Sequence, residues 1–182
     1  MESNEFVRKD SDGIVSLRYS SRPPPDLSSV DREFRVHVAM GTPLPPIADL
    51  RRQFPGLDNV SGIFDGRPFH EHASRANANK KPGLRVMIPK CFNREIESEA
   101  AIEEMYPLGL IPVGVRGAYD FLCSNSEFVR LYWFLAVGEH ARGACYDRLV
   151  PALSGGPECL TLGSRAFENL WDAQKLFLFE RK

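Results

Sequence analysis

The sequence predicts an α+β fold, a single domain with a mainly antiparallel sheet and two or three helices. Three observations carry that expectation. Apolar residues make up 43% and charged residues 26% of the 182, the balance of an ordinary globular protein able to bury about 70% of its unfolded surface. Helix-type and strand-type periodicities both occur, but they do not alternate as βαβ units would. The last three or four strands come in a row, with turn residues between them, as in hairpins.

The elements follow in order. Residues 1–33 are mostly polar, with a short alternation at 14–19 and a connector, Arg22-Pro23-Pro24-Pro25-Asp26, whose prolines fix φ and remove donors. Residues 34–182 form the domain. Phe34, Val36, Val38 and Met40 alternate with Arg35, His37 and Ala39, the period-two pattern of a half-buried strand. Ile47, Leu50 and Phe54 have helical spacing, and Pro55-Gly56 ends that helix. The stretch 56–83 is rich in glycine and proline and predicts a mobile loop, basic from about 65 to 83. A strand at 84–88 closes at Pro89. Asn93 is placed to cap a helix that carries Glu95 and Glu97 in its first turn. A second helix spans 116–124, with Ala118, Tyr119, Leu122 and Cys123 on one face. The run 131–137 is apolar on both faces and predicts a central strand, followed by a loop at 138–143. Strands at 149–153 and 159–162 flank the turn Ser154-Gly155-Gly156-Pro157, and 176–179 is the last strand.

The C-terminal part, from about Glu103 onward, carries a recurrent pattern. Its parts are the turn Gly109-Leu110-Ile111-Pro112, the helix at 119–122 and the strand Leu135-Ala136-Val137-Gly138. Leu149-Val150-Pro151-Ala152-Leu153, Leu160-Thr161-Leu162, Trp171 and the closing strand with its basic end, Arg181-Lys182, complete it. The pattern resembles that of a widespread group of small bacterial proteins with no established activity. Leu110-Ile111 stands where that group has aromatic-Arg, and Gly138-Glu139 where it has Gly-Ser. The resemblance implies the element boundaries and a bacterial or phage origin, and it implies no catalysis.

Charge and motif spacing bound the function. Net charge is −1, which excludes a histone-like polycation and an acidic tail protein. The longest apolar run, 131–137, is far short of the roughly 20 residues of a membrane span. The first ten residues hold no apolar stretch, so a cytoplasmic protein without membrane contact is expected. Cys91, Cys123, Cys145 and Cys159 form no CxxC and are read as reduced, mostly buried thiols. No pairing of a cysteine with His37 or His140 carries a nucleophile motif, and no glycine-rich phosphate loop occurs.

The near-neutral total hides an asymmetry. Between residues 65 and 94 lie Arg67, Arg75, Lys80, Lys81, Arg85, Lys90 and Arg94, opposed by Asp65 and Glu71; residues 95–106 then hold five glutamates and no basic residue. The leading expectation is a non-catalytic binding protein that uses Arg67, Arg75, Lys80, Lys81 and Arg85 against an acidic protein surface or nucleic-acid phosphates. One alternative is a nucleic-acid contact protein. The other is a small hydrolase around His70-Glu71-His72, with His140 and Glu139 as further catalytic candidates. Imidazoles two residues apart on an extended segment point the same way and can share a metal. His70 and His72 are therefore the candidate ligands of a divalent metal, and no other cofactor is expected.

Overall fold

The structure is a computed structural model and describes residues 32–40, 44–53, 57–64, 67–71, 82–143, 147–156 and 159–182. The proline connector, most of the predicted basic loop, His72, Arg75, Lys80, Lys81 and Cys145 lie outside the described residues. The elements are β1 (Phe34–Val38), α1 (Ile47–Gln53), β2 (Leu57–Val60), β3 (His70–Glu71), β4 (Gly83–Cys91), β5 (Ile96–Glu97), α2 (Ser98–Met105), β6 (Leu110–Pro112), α3 (Val115–Ser124), α4 (Ser126–Val129), β7 (Phe134–Leu135), β8 (Glu139–Arg142), β9 (Arg148–Gly155), β10 (Leu160–Ala166), β11 (Leu170–Trp171) and β12 (Leu176–Arg181). The fold is α+β, as the sequence predicts.

One large mixed sheet dominates, in the order β1-β4-β12-β7-β9-β10-β2, with β6, β8 and β3 attached beside it and a two-stranded ribbon, β11-β5, apart. Most pairs are antiparallel; β12–β7 and β10–β2 are parallel. Strand alternation divides the apolar residues between two cores. On one face Phe34, Val36, Met87, Leu153, Leu176 and Leu178 meet Leu50 of α1, Ala118, Phe121 and Leu122 of α3 and Val129 of α4. On the other, Ile88, Leu135, Val150, Ala152, Phe177 and Phe179 meet Ala101 and Ile102 of α2 and Trp171 of the ribbon. The buried hinge of the second core is Ser98, whose hydroxyl donates to the Phe167 carbonyl (2.7 Å) and accepts from the Trp171 indole N–H (2.8 Å).

Several local expectations change. Pro89 does not end its strand. β1 pairs only with 83–87 of β4, so Pro89 lies beyond that ladder and costs no hydrogen bond there, while it pairs with Leu178 on the other side. Asn93 does not cap a helix; it takes a left-handed φ of 54°, and the helix starts five residues later, after β5. Only Phe134 and Leu135 of the run 131–137 pair as a strand, and Leu131 is 61% exposed. The 138–143 loop is instead β8. The pairing sums shift between Leu135↔Ala152 and Ala141↔Leu149, so the chain bulges between β7 and β8. Gly138 sits in that bulge. A Cβ there would lie 2.4 Å from the Pro112 carbonyl oxygen and 2.8 Å from that of Val113, and the Gly138 N–H donates to the Val113 carbonyl at 2.9 Å. Only glycine permits that approach.

Glu180 is the one carboxylate of β12 and is 8% exposed. It points to the α3 face, and burial raises its carboxyl above the ordinary range while the nearby Arg85 charge pulls the other way. A carboxyl raised on folding binds its proton more tightly in the folded state. Its stabilising effect is therefore complete below the unfolded value and is lost as pH rises through the folded one. Glu180→Gln should remove this loss, so that melting temperature falls less between mildly acidic and neutral pH than in the unaltered chain. Identical pH profiles for the two proteins would contradict the burial cost.

Candidate binding surface

The structure brings two of the sequence candidates together. β3 and β8 pair antiparallel with His70 opposite His140 and Glu71 opposite Glu139. The two imidazole rings lie 6.0 Å apart, centre to centre, at 46°. Sequence reasoning could not find this pairing, because 70 residues separate the two strands and only the register joins them.

Glu139 faces the other way, toward α3. Its carboxylate accepts a hydrogen bond from the Val115 N–H at 2.8 Å, the first amide of α3, where a negative charge also suits the helix dipole. Gly114 precedes that amide without a side chain, and a Cβ there would lie 2.6 Å from the Glu139 carboxylate. Glu139 is thus a helix-capping group. It is not presented beside the two imidazoles.

His140 shares its face of β8 with Arg142. Ala141, between them, is buried in the α3-side core. Arg142 pairs in register with Arg148 of β9, and the Arg67 guanidinium donates to the Arg142 carbonyl at 3.2 Å. Arg67, His70 and Arg142 are exposed. A corner carrying two imidazoles and two guanidinium groups therefore sits at the sheet edge formed by β3 and β8. Arg148 is tied inward: its guanidinium donates to Glu168 at 2.5 Å and lies 4.3 Å above the Phe167 ring. Burial pulls the Glu168 carboxyl upward, but the Arg148 hydrogen bond and charge outweigh it and hold the group low. Arg85 is elsewhere. It shares the α3 face with Val36 and Met87 and stands beside Glu180, on the opposite side of the sheet from the histidine pair.

The second face of the sheet continues this basic character past Arg148. Arg165 of β10 pairs with Val150, and its guanidinium lies 5.1 Å from the centre of the Trp133 ring, with the Lys175 ammonium 4.8 Å from the same ring. Nothing in the local sequence pattern singles out Trp133, which stands inside an apolar run; its neighbours come from β10 and from the turn before β12.

The remaining candidates are accounted for structurally. Cys123 packs against the α3-side core, whereas His37 points to the other face of β1, so the sheet separates them. Burial pushes the Cys123 thiol up to about 11, against a hydrogen bond from Tyr119 that lowers it, which leaves it a poor nucleophile near neutrality. The Cys91 thiol donates to the Ala173 carbonyl at 2.9 Å. Among the described residues no three His, Cys, Asp or Glu side chains converge as metal ligands, and no helix is long and apolar enough to cross a membrane.

Comparison of the chain with family models, with curated proteins and with solved structures finds no match.

Proposed function

We propose that this is a non-catalytic binding protein whose basic segment near 65–83 and adjoining corner engage an anionic partner. The observation that carries the reading is the β3–β8 register, which gathers His70, His140, Arg142 and Arg67 at one edge. The hydrolase alternative loses its nearest general base, since the Glu139 carboxylate caps α3. A basic segment beside a basic corner suits an extended anion, because each cation that meets a phosphate releases a counterion.

Anisotropy of a labelled mixed-sequence duplex, and of a polyglutamate peptide, should report binding at low salt. On the duplex, Arg67→Ala/Arg142→Ala should reduce the slope of log affinity against log salt by about two, since each phosphate contact contributes roughly 0.9. Both side chains are exposed, so stability should move by no more than about 0.5 kcal/mol. Failure of both probes to bind at low salt would end the reading.

A further inference from the structure

We infer that the part of this sheet face not covered by α2 is a stacking platform for unpaired nucleobases centred on Trp133, so that the anionic partner is a single-stranded nucleic acid. The inference rests on the anion-binding reading above and makes its partner specific.

The platform is built by register. Leu135, Ala152, Val150 and Phe177 all belong to the core on the α2 side. Trp133 lies two residues before Leu135 and Lys175 two before Phe177, so both project from that same face. Ser154 and Thr161 are directly paired and share it with Gly163, which pairs with Ala152. These three are half-buried, and together they make a small, polar floor beside the indole. Arg165 extends across Gly163, since a Cβ there would come within 4.0 Å of its guanidinium. That absence of a side chain lets Arg165 reach Trp133. Phe92, one residue beyond β4, sets its ring edge-on to Phe177 at 5.4 Å and 88°. It therefore lies on the same face, two strands from Trp133, or roughly 10 Å at ordinary strand spacing.

The chemistry of the group suits a base and its phosphates. A planar guanidinium above an indole occupies the place a base would take, and cations favour that electron-rich face. Arg165 is exposed, donates to the Ser164 carbonyl and pairs with no carboxylate among the described residues. It can leave the ring for a phosphate at little cost while a base takes the vacated face. Lys175, held by Asp172 at 2.9 Å, stays beside the ring. A protein hot spot is the competing occupant. Such a spot is packed and shielded from water by apolar neighbours, whereas the floor here is serine, threonine and glycine. Sequence-tolerant recognition of single strands combines aromatic faces with nearby cations, and here the half-buried Trp133 and Phe92 rings each carry cations.

The test uses the full chain and three probes: a mixed-sequence single-stranded 15-mer, its duplex and inorganic polyphosphate. The chain has two tryptophans, and Trp171 is buried at 4% exposure, so quenching of indole fluorescence reports Trp133. The single strand should quench it. Trp133→Ala should weaken single-strand binding by about tenfold and leave polyphosphate and duplex binding unchanged, with Trp171 emission reporting an intact fold. Arg165→Glu alters an exposed side chain and leaves the core untouched. It should weaken the single strand by a similar factor, whether or not the tryptophan variant folds. If polyphosphate and duplex bind but the strand neither quenches Trp133 nor depends on Trp133 and Arg165, the stacking platform is wrong and the anion-binding reading survives. If none of the three binds at low salt, the stacking platform is wrong, and the polyglutamate peptide alone decides the anion-binding reading.

Discussion

Replacing Phe177 with alanine is expected to lower stability by about 3–5 kcal/mol. Phe177 is fully buried on β12, in register with Leu135 on one side and Lys90 on the other. Its ring meets Phe92 at 5.4 Å, Trp171 at 6.4 Å and Phe179 at 6.5 Å. It thereby joins the sheet to the β11-β5 ribbon and, through Trp171 and Ser98, to the start of α2. Truncation removes a large apolar area and leaves a cavity that the surrounding strands cannot close without breaking their ladders. Leu135→Ala, directly across the parallel pair, should cost about 2–5 kcal/mol, and the two losses should not add, because the side chains share one cavity. Urea denaturation with a common m-value measures both. A loss below about 1 kcal/mol at Phe177 would mean that β12 does not occupy the centre of the sheet.

Asp120→Ala should be comparably damaging, for an electrostatic reason. Asp120 is 7% exposed and holds two neighbours. It accepts from the Arg116 guanidinium at 2.8 and 2.9 Å and from the Ala39 N–H at 2.9 Å. The second bond ties the end of β1, an edge strand, to α3. Alanine leaves a guanidinium largely buried without its counter-charge and a backbone donor without an acceptor, together about 3–5 kcal/mol. Asp120→Asn keeps an oxygen for Ala39 and should cost less. Arg116→Met in the Asp120→Ala background should recover part of the loss, since it removes the uncompensated charge. Equal stability of the alanine and asparagine variants would show that the Ala39 bond contributes nothing, and a loss below about 1 kcal/mol for alanine would remove the buried pair as an anchor of β1.

The sequence by itself determined the elements whose own residues repeat with one period. The alternation at 34–38 became β1 with its buried and exposed residues in strict turn. The helical spacing from Ala118 to Leu122 became α3, and the strands read on either side of 154–157 pair as β9 and β10, with Ser154 and Gly155 themselves in the ladder rather than in a turn. Local pattern suffices there because each side chain is sorted by burial against one neighbouring face. Pattern was not enough where a long-range contact overrode the local preference. The run 131–137 reads as one strand, yet only Phe134 and Leu135 pair as β7, and the close approach of Gly138 to residues 112 and 113 separates them from β8, a stretch that reads as a loop. The His70-Glu71-His72 triplet reads as a local site, whereas His70 meets His140 across two strands. Glu139 resembles a free acid until α3 is seen to begin at its carboxylate. The setting of Trp133 is the fullest case. Its chain neighbours are apolar and imply a core residue, while Arg165 and Lys175 reach it from β10 and from the turn before β12. Those strands are sequentially distant, and their alignment depends on register, a property of the pair of strands that neither sequence segment holds alone.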